Sequence, residues 1–207
     1  EVSAALRARW QAAGATHGGA SVATGDPALV ERLRDLTWRA HEREMTTPPA
    51  LQESVDLMRI GAAEVRANPD GIELEGPLFT AGALAGVVNR RTMADPTSQA
   101  FRQGLDLYRS LAVSARAFGW ITNANSTRAD QITAGRAYVR MNLTATELGL
   151  AVHPWSQALQ EYPEMSDLYD EAHDLLAGGA RLQMLYRIGY ARPPGPTPRR
   201  GLEAHLV

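Results

Sequence analysis

Few residues in this chain are of types that do chemistry, and fewer stand at the spacings chemistry needs. His41-Glu42-Arg43-Glu44-Met45 has the first histidine and the glutamate of a helical zinc motif, but Met45 stands where a second histidine is required. His17, His153, His173 and His205 show no ligand spacing, so the first run reads as a solvated helix end and not as a metal site. No G-x-S-x-G, Walker A or G-x-G-x-x-G pattern occurs, which leaves nucleophile-elbow and phosphate-loop mechanisms without support. Asn89-Arg90-Arg91-Thr92 reads as a basic pair complementing a helix C-terminus. Asn125-Ser126-Thr127 and Asn142-Leu143-Thr144 match the glycosylation pattern, yet the first reads as a helix cap and the second lies inside a helix.

Two stretches remain. Pro154-Trp155-Ser156-Gln157 follows a helix stop and a short apolar segment. Backbone N–H groups after Pro154 can point at an acceptor there, and Trp155 can cover an aromatic ligand. Read alone, a buried tryptophan at a turn is the plainer account. Arg199-Arg200 follows Pro193, Pro194, Pro196 and Pro198, which hold the chain extended. A guanidinium pair so placed loses little entropy on docking and binds phosphate through two aligned hydrogen bonds. Read alone, a surface pair near the terminus is again the plainer account.

The elements that must position these groups follow from periodicity. Val2, Leu6 and Trp10 mark a helix over 2–13, stopped by Gly14 and Gly18-Gly19, and residues 20–24 read as a strand. Asp26 and Pro27 start a helix that carries Leu29, Val30, Leu33, Leu36 and Ala40 to about Met45. A third helix is expected over 51–67, a turn at 68–71, an Ala-rich helix from Gly76-Pro77 to about Val88, and another beginning at Asp95-Pro96. Residues 117–122 read as a buried strand. One of Asn125, Ser126 or Thr127 caps the next helix, whose Ala134, Ala137, Met141, Ala145 and Leu148 share a face, and Gly149 ends it. Small residues on that face mean a close neighbour. Residues 164–177 form a helix, and 181–191 a strand with Leu182, Met184, Tyr186 and Ile188 on one face.

Totals bound the rest. The 207 residues, 44% hydrophobic and 21% charged, suit a globular domain, and a net charge of −2 offers no bulk attraction for nucleic acid. The absence of cysteine removes disulfides, thiolate metal sites and thiol nucleophiles without fixing the compartment. No apolar run approaches the ~18–20 residues that span a bilayer. The chain opens at Glu1 in what reads as mid-domain helix, so a fragment or processed product is expected.

The order of a helix AGRAYVRMNLTATELGL, a turn AVHPWSQ, a helix around PEM, a strand QMLYRIGYA and a tail PTPRRGLE resembles the C-terminal half of FMN-binding nitroreductases. The likeness is strongest to the bacterial branch in which two related halves of one chain imitate the usual homodimer, and it covers 110–203. It implies an α+β nitroreductase-like fold, with 1–109 a helix-rich portion, a lid or dimer-mimicking region, and 110–207 the flavin-binding portion. By the family pattern, Gly149-Leu150 followed by Pro154-Trp155 implicates Ser156 and Gln157 as backbone donors to the flavin, and Arg199 and Arg200 as partners of its phosphate. The implied activity is hydride transfer from NAD(P)H through FMN to nitroaromatic or quinone-type acceptors, with no catalytic side chain. The alternative is a non-catalytic flavin-binding or flavin-sequestering protein. Arg90-Arg91-Thr92 is out of place for the family's N-terminal arginine motif, and the family's Asn-containing flavin contact is not visible. A missing N-terminal half or a second chain is therefore expected to complete the site. The resemblance leaves bacterial cytoplasm, or periplasm with an export signal, as the expected compartments.

Overall fold

The computed structural model describes residues 2–15, 20–192, 195, 197 and 199–206. The expected stop at Gly18-Gly19, His17, and the run of Pro193, Pro194, Pro196 and Pro198 lie outside the described residues. In chain order the elements are α1 (Ala4–Gly14), β1 (Ala20–Thr24), α2 (Pro27–Thr46), α3 (Pro48–Leu57), β2 (Met58–Ile60), α4 (Ala62–Ala67), β3 (Ile72–Leu74), α5 (Pro77–Leu84), α6 (Arg90–Met93), α7 (Gln99–Ser114), β4 (Ala117–Asn123), α8 (Arg128–Glu147), β5 (Ala151–Pro154), α9 (Ser166–Leu176) and β6 (Arg181–Gly189). They group into two compact units, Glu1–Arg43 with Tyr108–Pro193, and Glu44–Leu107 with Pro194–Val207. The first unit thus draws on both sides of the division expected at 109/110.

The first unit is built on an antiparallel sheet ordered β1-β4-β6-β5. Every residue of β4 is buried, because helices cover both faces. Phe118 and Trp120 point to one face, among Leu33, Leu36 and Ala40 of α2 and Leu168, Ala172 and Leu176 of α9. Ala117 and Ile121 point to the other, among Trp10 of α1 and Ala134, Ala137, Met141 and Ala145 of α8. The close neighbour expected for the small-residue face of α8 is α1. Trp10 is fully buried, and its indole N–H donates to the Met141 carbonyl across 2.8 Å.

One strand departs from simple alternation. The β4–β6 register shifts between Ile121 and Thr122, which pair with Met184 and Leu182 and leave Gln183 as an extra residue. A bulge resets the side-chain period of two. Leu182 therefore joins Leu185 and the α2/α9 core, while Tyr186 and Ile188 join the α1/α8 core. The expectation that Leu182, Met184, Tyr186 and Ile188 share a face fails at Leu182 for this reason.

The second unit corrects the expected helix over 51–67. Met58–Ile60 leaves the helical path as β2 and pairs in parallel with β3. Gly61 (φ 81°) then starts α4. The expected turn at 68–71 closes at Gly71 (φ 71°), where a Cβ would fall 2.2 Å from the Leu57 carbonyl oxygen, so only glycine fits. Leu51, Val55, Met58, Ile60, Met93 and Phe101 form this unit's core. The basic pair Arg90-Arg91 does not close a helix. It opens α6, under an Asn89 capping box with Thr92, and Arg90 is tied to Glu64 at 2.7 Å.

Candidate functional site

The segment 155–157 owes its position to the two ends of α8. At its start the Thr127 side chain accepts from the Asp130 N–H while Asp130 reaches back to the Thr127 N–H, a reciprocal cap that satisfies two otherwise orphaned donors. At its end Gly149 takes φ 67°, its N–H donates to Thr146 O at 3.1 Å, and the Leu150 N–H donates to Ala145 O at 2.8 Å. This Schellman closure turns the chain directly into β5. What the sequence suggested as a loose apolar lead-in is thus a sheet strand, with His153 opposite Arg187 and Pro154 opposite Tyr186. Proline is tolerated because β5 is the edge strand.

Trp155 continues the pairing, its N–H donating to Leu185 O at 2.9 Å. Its ring is 1% exposed, with the Arg187 guanidinium carbon 4.9 Å from the ring centre and Tyr108 edge-on at 6.3 Å. Trp155 is therefore a buried wall with its backbone donor already used, and its indole nitrogen is buried with no hydrogen-bond partner. The chain then leaves the sheet through one 3-10 turn, Gln157–Leu159, closed by Leu159 N–H to Ser156 O and Gln160 N–H to Gln157 O. Such a turn leaves its first N–H groups without intrachain acceptors. Among the described residues, the N–H groups of Ser156 and Gln157 donate to nothing, and the buried Oε1 of Gln157 also lacks a partner.

Arg199 and Arg200 fall in the second unit. Arg200 pairs with Asp70, which also holds Arg59 at 2.8 Å, and both arginines line a cavity of about 470 Å³ with Glu73 and His205. The structure thus assigns Ser156–Gln157 and Arg199–Arg200 to separate units.

One histidine departs from the sequence reading, and a second has a partner that reading did not name. His41 is not at a solvated helix end: it is 4% exposed and stacks on Tyr108 at 4.0 Å and 18°. Burial disfavours its cation and lowers its pKa to about 4. His153 is also shifted down, by burial first and by the Arg187 charge second. Its Nδ1 accepts from Arg187 Nε at 3.0 Å. Sequence reasoning passed over this pair. The available signal was Arg187 itself, a charged residue between two core residues of a strand, where a cation is costly unless something meets it. Among the described residues, no group of three or more His, Asp or Glu side chains could hold a metal ion.

No protein-family model matches this sequence, and no curated protein does either. Solved structures do. The FMN-dependent nitroreductase NfnB from Mycobacterium smegmatis, in complex with NADPH, is 20% identical with a TM-score of 0.55, over 100% of this chain and 89% of that one. A variant of the FMN- and NADPH-dependent nitroreductase NfnB from a Sphigopyxis strain is 15% identical with a TM-score of 0.55, again over 100% and 89%. A nitroreductase-like family protein from Bacillus cereus is 11% identical with a TM-score of 0.52, over 100% and 84%. The likeness takes in residues 1–109 as well as 110–207, and it shows that the chain has the α+β, nitroreductase-like fold.

Proposed function

We propose that this chain is an FMN-binding oxidoreductase that takes hydride from NAD(P)H and passes it to an electron-poor acceptor of the nitroaromatic or quinone type. The observation that carries the reading is the pair of unengaged backbone donors at Ser156 and Gln157, held after the exposed Pro154 and the buried Trp155. Two fixed N–H groups on a short rigid turn fit the acceptor edge of a flavin ring, and they need no side-chain ionisation to act. When bound, FMN would supply the two-electron chemistry. The protein's part is to bind and orient. Ser156 and Gln157 would present N–H groups to the ring, while the buried Trp155 keeps that turn against the sheet. Arg199 and Arg200 would meet the phosphate, a role for which guanidinium forks are suited. Arg90 is committed to Glu64, so we place the rest of the flavin site on a second chain or on a preceding N-terminal half.

The structural likeness to FMN-dependent nitroreductases supports the reading, because that fold accommodates this cofactor and this reaction class in those proteins. The test is a titration of the purified full chain with FMN and with riboflavin, followed by steady-state NADPH oxidation in the presence of a quinone. Binding of FMN, weakened at least tenfold by Arg199→Gln with Arg200→Gln while riboflavin binding is unchanged, is the expected result; a tenfold loss corresponds to about 1.4 kcal/mol. A sample that takes up neither flavin sinks the proposal. FMN binding without turnover removes the enzyme and leaves a flavin-binding protein.

A further inference from the structure

We infer that the first unit carries a separate cleft for an organic anion, with its oxyanion head on Arg187 and Arg116. This does not rest on the flavin reading. The cleft has a volume of about 540 Å³, and its lining includes Arg116, Arg187, His153 and Ser114 but no acidic residue.

Arg187 is held there by neutral groups alone, with the Trp155 ring 4.9 Å from its guanidinium carbon. Its Nε donates to His153 Nδ1 at 3.0 Å, and its Nη1 to Leu111 O at 2.6 Å and to Ser114 Oγ at 3.2 Å. An Nδ1 that accepts carries no proton, so His153 is neutral while it holds this contact, in keeping with its lowered pKa. Among the described residues, no carboxylate pairs with Arg187, and its Nη2 makes no hydrogen bond. A fixed, partly buried guanidinium without a counter-charge is unfavourable, as the downward shift of Arg187 through burial reflects. Every other contact at this residue orients the guanidinium; none neutralises it. An incoming oxyanion would do so and would gain charge-assisted hydrogen bonds.

Arg116 stands on the same cleft, exposed, with no ion pair among the described residues. Leu111, Ile188 and Tyr190 supply apolar wall, and Tyr190 is 58% exposed. Two forked cations lining one cleft beside apolar wall select a ligand with a carboxylate or phosphate head and a hydrophobic or aromatic body.

The test is calorimetric titration of the full chain, at constant ionic strength, with benzoate, phenyl phosphate and inorganic phosphate. We expect saturable binding of benzoate or phenyl phosphate, tighter than inorganic phosphate, and the better of the two identifies the head group. Arg187→Gln should abolish it, and Arg116→Gln should weaken it roughly tenfold, as for one lost charge-assisted hydrogen bond. Should Arg187→Gln fail to fold, Arg116→Gln and Ser114→Ala still decide, the latter because it frees one anchor of the Arg187 fork. Absence of saturable binding for all three probes overturns the inference. So does binding that Arg116→Gln and the second folded variant leave unchanged, which would place the anion elsewhere, as at Arg199-Arg200.

Discussion

Replacing Gly119 by alanine tests how the central sheet is packed. Gly119 sits in β4 opposite Tyr186 of β6 and Ala23 of β1. A Cβ there would lie 2.5 Å from Tyr186 Cε2, 2.9 Å from Trp10 Cζ3 and 3.0 Å from Trp10 Cη2. Ordinary carbon contacts begin near ~3.5 Å, so the Tyr186 ring would have to move by about 1 Å. It has nowhere to go. Tyr186 and Trp10 are both 0% exposed and meet edge-to-face at 5.2 Å, and the Tyr186 hydroxyl rests on Met141 Sδ. Overpacking of this kind costs about 1–3 kcal/mol, offset by roughly 0.5–1 kcal/mol because alanine loses less backbone entropy than glycine. A net loss of about 0.5–2 kcal/mol is expected, or about 1–8 °C in melting temperature for a chain of this size. Urea and thermal unfolding of the parent and of Gly119→Ala measure it, and the same substitution in a Tyr186→Leu background isolates the clash. A Gly119→Ala protein as stable as its parent, or one equally destabilised in both backgrounds, refutes the packing argument.

Further outcomes rest on single contacts. Trp10→Phe removes the N–H donated to Met141 and part of a filled core volume, and should cost about 1–3 kcal/mol in urea unfolding. Thr127→Ala removes the reciprocal cap of α8 and should cost about 0.5–2 kcal/mol, with Thr127→Ser close to the parent. Stability should also fall in mild acid through His41. Its folded pKa, about 4, lies below the ordinary 6.5, so the unfolded chain binds the proton more readily. The neutral-His41 contribution is therefore complete above pH 6.5 and is lost as pH falls from there towards 4. The loss is about 2 kcal/mol at pH 5, and His41→Gln should flatten that part of the profile.

Where local rules act on adjacent residues, the sequence was sufficient. Gly149 marks the end of α8, and the cap at its start was narrowed to Asn125, Ser126 or Thr127, of which Thr127 serves, because a cap and a left-handed closure need only neighbours within a few positions. The apolar run at 117–122 announces β4 because a strand covered on both faces has no polar side. The same economy placed Asp26 before α2, where its Oδ1 accepts from the Leu29 N–H at 2.8 Å. Ser156 and Gln157 stand apart from these: the family resemblance implicated them, not composition or spacing, and their role toward a flavin is our proposal.

Other features exist only through partners distant in the chain. Met58–Ile60 continues a helical pattern in sequence and becomes β2 only because β3 is there to pair with it. Leu182 changes faces because β4 imposes a register that leaves Gln183 over. His41 reads as a solvated helix end until Tyr108, on another helix, stacks on it. Arg187 is one charge in a strand until His153 engages its Nε and Leu111 and Ser114 engage its Nη1. Spacing along the chain governs caps, turns and covered strands, whereas register, burial of single rings and the facing of charges are decided by which elements meet.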